Sequence, residues 1–217
     1  MRRIWLLVFL LGGAAFAEEP PHTMTSLVER RQRPDIPEES FAAQPRVIYR
    51  AGNRYCRSEE WPDREHGIHG LMIINEPDTW LINLFTKTGR HILDPGPTFN
   101  CRMPIFIGAG DIKSVEDLKN PLYELEYGRE LAYFKGKGSV AKDGPVLQGR
   151  QTNAYAVTAG QWQLLLFTSG RPERPVALIR DDGKTRDTIW YGTYEELPFD
   201  PKLFVIPEGL KIEEDKQ

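Results

Sequence analysis

From Arg46 onward the chain is cut by tight-turn residues at short intervals, and the stretches between the cuts alternate apolar with polar side chains. That pattern constrains the fold more than anything else in the sequence, because alternation with period two is the signature of a strand with one buried face. Leu71-Met72-Ile73-Ile74 forms one strand core, and Asn75-Glu76-Pro77-Asp78 is turn chemistry. Trp80, Ile82 and Leu84 then share one face, with Leu81, Asn83 and Phe85 on the other. Lys87-Thr88-Gly89 turns again, residues 90–93 return, and Asp94-Pro95-Gly96-Pro97 stops the run, since proline cannot donate to a ladder. The C-terminal half repeats the texture over 152–158, 162–168, 176–180 and 185–194. Ala159-Gly160 and Asp181-Asp182-Gly183 serve as hairpin turns there. Sequential strands on short turns pair antiparallel. No βαβ rhythm appears, which counts against the doubly wound and barrel enzyme folds.

The middle of the chain is the helical part of this reading. Ser114 with Glu116 and Asp117 resembles a helix start, and Asn120-Pro121 offers a second one. Leu118, Leu122 and Leu125 fall at i, i+4 and i+7, and Gly128 suits a C-terminal cap. One or two short helices over 114–127 are expected. The fold class is thus mainly antiparallel β with short helices: seven or eight strands in a curved sheet, its open apolar face covered by a helical lid.

Met1-Arg2-Arg3, the apolar run from Ile4 and the small residues of Ala15-Phe16-Ala17 make a secretory signal over 1–17, cleaved after Ala17. The apolar stretch 4–17 is shorter than the ~20 residues a bilayer span needs, so the product is not expected to be membrane-spanning. It belongs in a periplasm or outside the cell. Residues 18–44 are polar and proline-rich and read as an arm, with a short helix at 25–32; 45–217 reads as a single β-rich domain. The mature chain has two cysteines, Cys56 and Cys101, and an oxidising compartment suggests one disulfide between them. The formal net charge is −3, and two units more negative without Arg2 and Arg3, which argues against a nucleic-acid partner.

No enzyme signature emerges. There is no Gly-x-Ser-x-Gly elbow, and Gly108-Ala109-Gly110 lacks the lysine of a phosphate cradle. His66, His69 and His91 could ligate a metal, but His66 and His69 are three apart, which on a strand sets them on opposite faces. No cofactor and no metal are expected. The residues suited to lining an apolar cavity are Trp80, Ile82, Leu84, Leu122, Leu125, Trp162, Leu164, Leu166 and Tyr191. A filled core asks for the same residue types.

The ending carries a resemblance. Arg180-Asp181-Asp182-Gly183, Thr188-Ile189-Trp190-Tyr191 and Leu203-Phe204-Val205-Ile206-Pro207-Glu208-Gly209 resemble the end of the outer-membrane lipoprotein-sorting family, the LolA/LolB-type carriers. The order of signal, meander, short helices and second meander is similar too. The resemblance implies a half-open antiparallel barrel plugged by helices, and binding of a hydrophobic ligand, a lipoprotein acyl chain or a lipid. Two other readings stay open. One is an envelope structural or interaction module without a ligand, its arm ordering on a protein partner. The other is a metal-dependent enzyme using the histidines.

Overall fold

The computed structural model describes residues 19–94, 100–107 and 119–215. The leader at 1–17 and the expected helix start at 114–118 lie outside the described residues.

Among the described residues twelve strands form one sheet, against the seven or eight expected. They are β1 (Thr23–Gln32), β2 (Arg46–Ala51), β3 (Tyr55–Glu60), β4 (Gly70–Asn75), β5 (Asp78–Asn83) and β6 (Thr88–Leu93), then β7 (Lys142–Leu147), β8 (Arg150–Ala159), β9 (Trp162–Ser169), β10 (Arg174–Asp181), β11 (Arg186–Pro198) and β12 (Lys211–Glu214). Their order across the sheet is β12, β6, β5, β4, β3, β2, β1, β11, β10, β9, β8, β7. All neighbours are antiparallel except β12, which runs parallel to β6. The two end strands do not meet, so the sheet is open.

The meanders β2 to β6 and β7 to β11 are the two β halves read from the turns. What joins them is β1, paired with β2 on one side and β11 on the other. This corrects two expectations. The segment 18–44 is not an arm throughout, and 25–32 is not helical, because Thr23–Gln32 is a central strand. Its inward charges hide it: Glu29 and Arg31 lie on the face of Leu27, each answered by a residue from another strand.

Register assigns every side chain to a face. Leu27, Ile48, Cys56 and Ile74 face one way, together with Leu164, Leu166, Leu178, Ile189 and Tyr191 of the second meander. We call this the inner face. Met24, Ala51, Leu71, Ile73 and Ile82 face the other way, with Trp80 and Leu84 packed beside them. The segment after β11 covers that outer face. Phe204, 1% exposed, stands at its centre, stacked on Phe199 at 5.6 Å and tilted against Tyr55 at 5.4 Å. Gly209 then turns at a φ of 76° and delivers β12 to its edge.

The inner face is covered by 100–107 and 119–136. Only part of this cover is helical, and the helix is not where the leucine spacing puts it. Pro121–Glu124 is a single 3₁₀ turn, opened by Asn120, whose side chain accepts from the Leu122 amide. The one α-helix among the described residues, α1 (Glu130–Gly136), begins after Gly128 instead of ending at it. At seven residues it is too short to show a periodic stripe. Tyr133 and Phe134 anchor it to the core. The disulfide Cys56–Cys101 ties β3 to the cover, both cysteines fully buried. The cover is further knitted by Ile105 N–H donating to Leu125 O at 3.0 Å and Tyr127 N–H to Met103 O at 3.0 Å.

Candidate functional site

Between the inner face of β3 to β5 and the cover lies a cleft of about 480 Å³. Ser58, Glu60, Gly70, Met72 and Leu81 form the sheet wall. Met103, Pro104, Ile105, Ile107, Tyr123 and Tyr127 form the opposite wall. The size lies within the range of small-molecule sites, and most of the lining is apolar. A Cβ at Gly70 would meet the Glu60 carboxylate, so a larger residue there would displace that side chain. Leu81 is 41% exposed at the mouth, an apolar side chain that the fold leaves in water.

Arginines rim the apolar walls: Arg31, Arg46 and Arg102. Arg31 and Arg46 belong to a row of alternating charge across β10, β11, β1, β2 and β3, while Arg102 comes from the cover. Arg180 donates to Asp187 at 3.0 Å, and Arg31 donates to the same carboxylate from Nε at 2.9 and 3.1 Å. Arg46 lies 3.9 Å from Glu29 and 3.6 Å from Glu60. Arg102 sits 3.0 Å from Glu126 and over the Tyr123 ring at 4.7 Å. Deeper in, Arg50 donates to Glu126 at 2.5 Å, to Tyr127 O at 3.2 Å and to Cys101 O at 3.1 Å.

Glu29 is the odd member of the row. It is 1% exposed, and its Oε2 has no hydrogen-bond partner among the described residues. Burial raises its pKa above the ordinary 4.5, against the pull of Arg46 and the Tyr127 hydroxyl. The folded state therefore holds its proton more tightly than the unfolded chain does. Stability from this group is largest in acid and is lost as pH rises from about 4.5 through the higher folded value. Glu130, also raised by burial, adds a slope of the same sign. Glu29→Gln imitates the protonated form. We expect it to be more stable than the parent at pH 7 by about 1 kcal/mol, in line with relief of an unsatisfied buried acceptor, and to flatten the pH profile partly. Urea denaturation from pH 4 to 8 tests this; a variant less stable than the parent at pH 7 would contradict it.

Of the nine residues expected to line a cavity, Ile82 alone borders this cleft, and its side chain packs in the outer-face cluster. Leu122, Leu125, Leu164, Leu166 and Tyr191 are at most 1% exposed in the filled part of the inner core. Trp162 lies beneath the Arg180 guanidinium, 4.6 Å from its ring. Trp80 and Leu84 pack in the outer-face cluster. The residues missed are Met72, Leu81 and the apolar run Met103 to Ile107. The signal for the run was present, because it follows Cys101 and the disulfide pins it over β3. The three histidines stand apart. His66 pairs with Asp63, His69 with Glu59, and His91 with both Asp78 and Glu214. Among the described residues no group of three His, Cys, Asp or Glu is placed to hold a metal ion. No helix among them is long and apolar enough to cross a membrane.

No protein-family model and no curated protein sequence matches the chain. Solved structures do. An uncharacterized conserved protein from Thermus thermophilus aligns with a TM-score of 0.50 at 8% identity, over 89% of this chain and 90% of its own. A LolA superfamily protein from Nitrosomonas europaea aligns at 0.34 and 9% identity, over 86% and 90%. A candidate outer membrane lipoprotein-sorting protein domain from Vibrio parahaemolyticus aligns at 0.32 and 9%, over 81% and 85%. The likeness to the Thermus protein is one of fold alone. The other two are looser.

Proposed function

We propose that this chain is a periplasmic carrier for a hydrophobic ligand, an acyl chain of a lipoprotein or a lipid. The observation that carries the reading is the cleft of about 480 Å³ with Met72, Leu81, Met103, Ile105 and Ile107 on facing walls. Each methylene moved from water into such a site gains about 0.8 kcal/mol, before the cost of fixing the ligand. Met72 and Met103 suit chains of varied shape, since a thioether side chain repacks easily. A lipoprotein or a lipid is the partner, and the reaction is transfer without covalent chemistry. The buried disulfide and the leader sequence support an oxidising compartment.

Native mass spectrometry of the mature chain from a periplasmic extract, followed by organic extraction, tests the proposal. A co-purifying lipid or acylated peptide is the expected result. An apo mass that stays unchanged after incubation with long-chain fatty acid or phospholipid would contradict it.

A further inference from the structure

A second concave site lies in the other meander. β10 follows β11 only from Ala177 to Asp181, opposite Arg186 to Trp190. Beyond Trp190, β11 continues to Pro198 paired with β1 alone. The sheet therefore splits, and a crevice of about 390 Å³ opens between the start of β10 and the far half of β11. Arg150, Arg171 and Arg174 line it, with Ser169, Gly192 and Tyr194.

None of these three arginines makes an ion pair among the described residues. Several other guanidiniums of the sheet are neutralised: Arg31 and Arg180 on Asp187, Arg50 on Glu126, Arg186 on Asp181. The acid nearest in sequence, Glu173, is committed elsewhere. Its Oε1 accepts from Asn153 at 2.6 Å and Thr168 at 3.0 Å. Its Oε2 accepts from Tyr155 at 2.8 Å and lies 3.4 Å from Lys135. Glu130 does not line the crevice; buried behind it, its carboxylate accepts from the lining tyrosines Tyr191 at 3.1 Å and Tyr194 at 2.7 Å. Glu195 and Glu196 follow on β11 but do not line it. Three cations thus share one concave site on a chain whose net charge is −3.

We propose that this crevice binds a phosphate group. A guanidinium fork matches two phosphate oxygens, and a phosphate offers acceptors enough for three such forks, where a carboxylate has only two oxygens. The phosphate is either a lipid headgroup or a soluble phosphate, and the site is independent of the apolar cleft.

The test titrates the mature chain with inorganic phosphate at constant ionic strength, followed by amide NMR shifts, and in parallel sediments it with phosphatidylglycerol and phosphatidylcholine vesicles. The double variant Arg171→Gln/Arg174→Gln, checked for an unchanged melting curve, should weaken binding at least about tenfold. Arg64→Gln, an exposed arginine elsewhere, should not. Saturable phosphate binding lost in the double variant supports a soluble phosphate. Binding to phosphatidylglycerol alone, lost in the same variant, supports a headgroup. Absence of both, or equal weakening by Arg64→Gln, overturns the proposal.

Discussion

Replacing Cys56 and Cys101 together by alanine should lower the stability of the folded chain by about 3–4 kcal/mol. The bond closes a separation of 45 residues, and the chain-entropy account gives a loss of that size when such a loop is released. The effect should also be local. Cys101 begins the strip that walls the cleft, and its amide donates to Asn53 O at 2.6 Å beside the bond. Without the tether, the strip from Cys101 to Ile107 should exchange its amide hydrogens faster than β9 and β10 do. Urea denaturation and hydrogen exchange of the double variant check both parts. A loss below about 1 kcal/mol, or uniform exchange across the chain, would mean that the cover is held by its other contacts.

The second large effect concerns Arg50 and Glu126, 4% and 2% exposed. Burial disfavours the Arg50 charge, and Glu126 compensates. Glu126→Leu takes the paired carboxylate from the buried Arg50, leaving its hydrogen bonds to the Tyr127 and Cys101 carbonyls, and from the part-exposed Arg102; the expected loss is about 3–5 kcal/mol. Removing both charges with Arg50→Met/Glu126→Leu should recover most of it, because the pair repays a desolvation cost that the apolar variant never incurs. The comparison between single and double variants by urea denaturation decides the matter. A double variant as unstable as the single one would locate the loss in packing, not in the stranded charge.

The legible parts of this fold were the ones with local signals. Asp182-Gly183 is a hairpin turn, with Gly183 at a φ of 82° and Asp182 accepting from the Lys184 and Thr185 amides at 2.9 and 2.7 Å. The alternation over 162–168 and 185–194 reappears in β9 and β11. β1 was illegible because what makes it a strand lies far away: Arg31 meets Asp187 across 156 positions. For three of the expected cavity residues, on β5 and just after it, the difference is one of parity. Trp80, Ile82 and Leu84 do share a face, but nothing local tells which face of a sheet is the inner one. Trp80 pairs with Ile73 of β4 in the outer set, while Trp162 pairs with Ala159 of β8 in the inner one. The same one-residue offset puts Leu81, read in the sequence on the face opposite Trp80, at the mouth of the cleft.

On the proposed function, the cleft between β3 to β5 and the cover receives an acyl chain. Photo-crosslinking with a long-chain fatty acid that carries a diazirine near its tail tests it most directly. Adducts should map to Met72, Leu81 and the strip from Met103 to Ile107, and unlabelled fatty acid should compete them away. Adducts confined to the outer-face cluster around Phe204, or labelling that fatty acid does not compete, would contradict the account.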